Sequence, residues 1–109
     1  MSWDVVLTIK VGDMYNEIPG TEHNYTYNVA PMYYAAGIGE EGIRVLNGKS
    51  AMDAMLILTP VINYMENHRE ELEKLNPSNK WGDFDGALEF LQNIKKDCEQ
   101  YPLCSVYLT

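Results

Sequence analysis

From Trp3 to Val11 the chain alternates, with Trp3, Val5, Leu7, Ile9 and Val11 on one face and Asp4, Thr8 and Lys10 on the other. Val6 alone breaks the second face. A period of two over nine residues admits one reading, a β-strand with one covered face and one wetter face. Some other element must therefore supply the cover, and the rest of the chain offers helices for it.

Ser50 opens the strongest helical stretch, where Ser50-Ala51-Met52-Asp53 approximates a capping box. Apolar residues follow at Ala51, Met55, Leu58, Ile62, Met65, Leu72 and Leu75, the spacing of a buried stripe. Pro60 deletes the bond to Leu56, so the helix kinks there or restarts with Thr59 as cap. The tail from Glu66 to Lys74 is a solvated face with Arg69–Glu73 and Glu70–Lys74 at i,i+4 spacing. Asn76-Pro77-Ser78-Asn79 stops it. Asp83 or Asp85 caps a last helix running to about Gln100, with Phe84, Ala87, Leu88, Leu91, Ile94 and Cys98 as its apolar stripe. Leu103 to Leu108 closes the chain as a strand.

Between these, Gly12 to Glu22 reads as a loop and His23 to Asn28 as a second strand. Asn28 is placed to cap a short helix from Val29 to Ala36, with Pro31 in its first turn and Gly37 as its stop. Gly37 to Gly48 reads as a loop with at most an extended piece at Ile43 to Leu46. The expectation is a single α+β domain over residues 1–109: a small, mainly antiparallel sheet of three strands, with a fourth allowed, and two to three helices packed on one face.

Composition limits function more than it defines it. At 109 residues, 46% hydrophobic and 22% charged, the chain has the size and make-up of one folded domain. Its 8 basic and 16 acidic residues give a formal charge of −8, which argues against direct nucleic-acid binding, because that affinity comes from Lys and Arg releasing counterions. A basic protein partner suits the sign, as does plain solubility. No apolar run reaches membrane-spanning length and the start lacks secretory features, so a cytoplasmic location and no membrane association are expected. Cys98 and Cys104 then read as reduced, buried small hydrophobes.

No constellation announces catalysis. Trp81-Gly82-Asp83-Phe84-Asp85-Gly86 contains Asp-x-Asp-Gly, but aligning Gly86 with the sixth position of a calcium loop puts Trp81 first and Gln92 twelfth, where acidic ligands belong. Gly37-Ile38-Gly39-Glu40-Glu41-Gly42 matches the dinucleotide fingerprint yet follows a helix and sets two acids where phosphates would sit. Neither His23 nor His68 has a nucleophile or metal partner at motif spacing, so no enzyme activity, metal or cofactor is expected.

What remains is His23 to Tyr34, HNYTYNVAPMYY, dense in amphipathic side chains. These residues serve equally as the edge of a small core or as a recognition surface. In the functional version Asn24, Tyr25, Tyr27, Asn28, Met32 and Tyr33 wall a pocket or partner surface, joined by Trp81 and Asp83 if the two segments meet in space. Protein binding, with another protein or a second copy of the chain, is then favoured. A small-molecule or nucleotide pocket built from the same residues is the alternative.

Two segments, Tyr27-Asn28-Val29-Ala30-Pro31-Met32 and Asn76-Pro77-Ser78-Asn79-Lys80-Trp81-Gly82-Asp83, carry a resemblance. The chain resembles small uncharacterised bacteriophage and prophage proteins with N-[VAL]-[AS]-P-M and N-P-x-N-G-W-G-[DN] segments, over roughly Asn24 to Leu108. Lys80 stands where that pattern has Gly. The resemblance implies a phage-type accessory setting, counter-defence included, with an unknown host or phage protein as the partner, and no chemistry.

Overall fold

The computed structural model describes residues 1–109. Its sheet is built on strand β1, Ser2–Val11, which the alternation predicts. β2, Met14–Glu17, lies in the stretch expected to be a loop. It forms because Gly12 and Asp13 make a two-residue turn that brings Met14 opposite Val11. Gly12 takes φ 62°, the left-handed conformation such hairpin turns require at their first central residue.

β3 spans His23–Thr26, two residues shorter than predicted, and β4 spans Ser105–Leu108. All three partners of β1 run antiparallel to it. Val5 pairs with both His23 and Leu108, and Thr8 with both Glu17 and Ser105. One residue cannot pair twice on one edge, so β2 and β3 share an edge of β1 and β4 holds the other. The four strands thus make a sheet three strands wide.

The break between β2 and β3 is a turn at Ile18-Pro19-Gly20-Thr21, closed by Thr21 N–H to the Ile18 carbonyl at 3.3 Å. Pro and a Gly at φ 84° occupy its two central positions, as a type II turn demands. Leu7 would lose its ladder partner there. The Thr21 hydroxyl replaces it, accepting Leu7 N–H at 3.0 Å while donating to the Ile18 carbonyl at 2.8 Å.

The helices cover the face carrying Trp3, Val5 and Leu7, which join one core cluster with Phe84, Leu91, Ile94, Leu58, Met65 and Val106. Helix α1, Ala30–Ala35, follows a 3₁₀ turn at Tyr27–Val29. Thr26, not Asn28, caps that turn, accepting Asn28 N–H at 3.3 Å. Gly42–Leu46 forms a second 3₁₀ helix in place of the expected extended piece. α2, Ala51–Asn67, starts on Ser50, whose hydroxyl accepts Asp53 N–H at 3.1 Å. The helix runs through Pro60: Thr59 does not cap a new start but donates its hydroxyl to the Met55 carbonyl at 2.7 Å. Leu56, which loses its helical partner to Pro60, sits on the exposed side.

A break at His68 separates the short α3, Arg69–Glu73, from α2. α4, Phe84–Gln100, is capped by Asp83, whose carboxylate accepts Gly86 N–H at 2.8 Å. Its buried side carries the six stripe residues expected, plus Phe90. Small-sheet, one-sided α+β architecture is therefore what the chain adopts. Beyond Thr8 the sheet outruns its cover, and Ile9, Val11, Met14 and Tyr15 project as an exposed hairpin arm. The molecule measures 46 × 25 × 24 Å. No helix is long and apolar enough to cross a membrane.

Candidate functional site

The two segments singled out by sequence do meet. The Tyr25 hydroxyl accepts Asp83 N–H at 3.0 Å, and its ring stacks on Phe90 with centroids 5.8 Å apart. Gly82 lies against Thr26 and Val29, so closely that a Cβ there would fall 2.6 Å from the Thr26 methyl. Burial raises the Tyr25 phenol above its ordinary value, and the nearby carboxylates of Asp83 and Glu89 add to the rise. The junction is a hydrogen-bonded seam between β3 and the start of α4.

A seam is not a binding surface, and several expected residues are consumed by it or by the core. Met32 and Tyr33 are fully buried, Tyr33 donating its hydroxyl to the Ala87 carbonyl at 2.9 Å. Burial lifts that phenol well above the usual range, so it stays a donor. Asn24 sits on the opposite face of the sheet, its amide bound to Ser2 Oγ, the Trp3 carbonyl and Asp4 Oδ1 at 2.8–3.2 Å. Asn28 is exposed and turns its amide back to Thr26 Oγ1 at 3.1 Å. The Asp83 carboxylate is engaged as a cap, whereas Trp81 is 67% exposed on the turn before it.

Tyr27 behaves differently. Its ring leans on Trp3 with centroids 5.0 Å apart and planes tilted by 47°. With Trp3, Ala30, Tyr33, Tyr34, Glu41, Gly42, Ile43 and Arg44 it encloses a cleft of about 200 Å³. Trp3, Tyr33 and Ile43 are almost wholly buried and form its floor, while Tyr34 and Arg44 are exposed at the rim. Tyr34 closes one wall by lying over Gly42, where a Cβ would come 3.0 Å from its hydroxyl. Arg44 donates to the Tyr27 hydroxyl at 3.1 Å, and its guanidinium carbon stands 5.7 Å from that ring's centre. Sequence reasoning missed Tyr34, Glu41 and Arg44. A single Arg within the apolar run Ile43-Arg44-Val45-Leu46 was the one available signal.

On the sheet's other face a broader depression of about 410 Å³ is lined by Asp4, Glu17, Glu22, Asn24 and Tyr107 among others. Its charges are of one sign. His23, which also lines it, reaches Asp97 on α4 and ties β3 to the helix layer. Cys98 and Cys104 are both free and buried. No three His, Cys, Asp or Glu side chains gather to hold a metal ion. Comparison with family models, with curated proteins and with solved structures finds no match to this chain.

Proposed function

We propose that this chain is a non-catalytic accessory protein that works by binding another protein, with the Tyr27–Arg44 cleft as its anchoring pocket. The size of the cleft carries this reading. At about 200 Å³ it is smaller than the roughly 300–1,000 Å³ of typical metabolite sites. It suits one partner side chain, and its lining is the aromatic and Arg composition that dominates binding energy at protein interfaces. Rigid rings already fixed by Trp3 and Tyr33 lose little entropy when something docks on them.

The resemblance of the Asn28–Met32 and Asn76–Asp83 segments to small phage and prophage proteins supports an accessory or counter-defence setting. Immobilised wild type and a Tyr34→Ala/Arg44→Ala variant, both changes being at exposed positions, test the reading against a bacterial lysate. A partner held by wild type and lost by the variant supports it. Equal recovery by both, or no partner at all, removes it. The rival reading is a nucleotide pocket, and it predicts a thermal shift: a ligand at 100 times its Kd adds about 2.7 kcal/mol of stability.

A further inference from the structure

This chain has only two arginines, and they are treated in opposite ways. Arg69 lies over the Phe84 ring at 4.5 Å and is neutralised twice, by Glu73 at 3.1 Å and Asp85 at 2.8 Å. Arg44 lies over Tyr27, bonds its hydroxyl, and pairs with no carboxylate. Of the eight basic residues only Arg69 and Lys95 pair with a carboxylate, so what sets Arg44 apart is that it is unpaired and yet fixed on an aromatic ring at a cleft. A guanidinium has five N–H donors, and one of Arg44's is used on Tyr27. Stacking on the ring holds the fork at the cleft's mouth rather than letting it wave in solvent.

We propose that the cleft captures the C-terminal residue of a partner protein, Arg44 holding the terminal carboxylate and the Trp3, Tyr33 and Ile43 floor taking an apolar side chain. The inference rests on the protein-binding reading and names what that site recognises. Only a chain end puts a carboxylate and an apolar side chain on the same Cα with nothing continuing beyond. An internal Asp or Glu would bring a carboxylate with no apolar side chain beside it, leaving the Trp3, Tyr33 and Ile43 floor unfilled. Glu41, also lining the cleft, favours an N–H donor, which the terminal peptide bond supplies. A phosphate fits poorly, because its second charge finds no second cation there and meets Glu41 instead. The net charge of −8 likewise works against a polyacidic partner, so one carboxylate is the anion the site suits.

The test uses fluorescein-labelled Gly-Ser-Gly-X peptides, with X as Leu, Ile, Met or Phe, each made as the free acid and as the C-terminal amide. Fluorescence anisotropy should show binding of at least one free acid, with its amide at least tenfold weaker, since a bidentate guanidinium–carboxylate contact is lost. Arg44→Gln should weaken the acid by a similar factor and leave the amide unchanged. Arg44→Lys should restore part of the loss, charge without the fork. Arg44 is exposed, so an unchanged melting temperature verifies that the variants fold. Equal affinity of acid and amide, or no peptide bound at 1 mM by any variant of X (about −4.1 kcal/mol by affinity arithmetic), overturns the proposal. So does competition by the free amino acid as strong as by the peptide. A lysate partner that depends on Tyr34 and Arg44 but binds equally after its last residues are removed would overturn this proposal alone and leave the protein-binding reading standing.

Discussion

The phenolic oxygen of Tyr25 occupies the space left by the missing side chain of Gly86: a Cβ on Gly86 would lie 1.9 Å from that oxygen and 2.5 Å from the ring carbon bearing it. The ring cannot simply swing aside. It is stacked on Phe90, and its hydroxyl is bonded to both the N–H and the carbonyl of Asp83.

Gly86→Ala should therefore destabilise the fold by about 1–3 kcal/mol, the usual cost of overpacking. The sign is informative, because Ala is the better helix former by about 1 kcal/mol and Gly86 lies within α4. In a Tyr25→Ala background the same change should become neutral or stabilising. Denaturant melts of the four proteins give the coupling directly. Additive effects would mean that Tyr25 does not press on Gly86.

Thr21 substitutes for a missing strand partner, and its replacement isolates that role. Thr21→Val keeps the shape but leaves the buried Leu7 N–H with no acceptor. A loss of about 1–3 kcal/mol is expected in chemical denaturation. Thr21→Ser, which restores the hydroxyl, should recover most of it. Equal losses for Val and Ser would show that the methyl group matters and the hydrogen bond does not.

Lys80 is the only non-glycine residue with a positive φ, at 64°. It ends the turn Pro77-Ser78-Asn79-Lys80, its N–H bonded to the Pro77 carbonyl at 3.1 Å. Holding an L-residue in this region costs roughly 1–2 kcal/mol. Gly removes that cost but gives the unfolded chain more freedom, which offsets part of the gain. Lys80→Gly should thus raise stability by a few tenths to about 1 kcal/mol, visible as a higher melting temperature. A drop would mean that the Lys side chain contributes something its exposure does not suggest.

The pattern of what could be read in advance follows from where side chains face. α4 was legible because it has one wet and one dry side; β1 was legible from its alternation, although Val6 and Thr8 on its second face are buried and Ile9 and Val11 on its first are exposed. Met14–Glu17 was not, since all four residues are exposed and leave no alternation to find. Asn28 looked like a cap because it stands before Pro31, yet Thr26 begins a 3₁₀ turn two residues earlier and takes the role. The two segments touch through Tyr25 and Asp83, a contact that the sequence alone leaves conditional. Met32 and Tyr33 went instead to the core, where their size fills space beneath Trp3. The cleft depends on Arg44 and on Tyr34, which come together only because a 3₁₀ helix, not a strand, follows Gly42.

Alkali should find the weak point of this fold at its buried acids. Burial pushes the Cys98 thiol from an ordinary 9.0 up to about 11, with the charges of Asp97, Cys104 and Glu99 adding to the rise. Cys104 and Tyr33 shift the same way, chiefly by burial. A group whose folded value is raised favours the native state while it is protonated. Its contribution is complete below pH 9 and drains away as pH climbs toward 11, on the order of 2–3 kcal/mol for a shift of two units. The melting temperature should hold steady near pH 8 and fall steeply above pH 9. Replacing Cys98 by Ala, which is apolar, fits the space and cannot ionise, should flatten that fall. A thiol reagent at pH 8 should label neither cysteine in the native protein and both after denaturation. Rapid native labelling of Cys98 would show a thiolate already accessible and defeat the account.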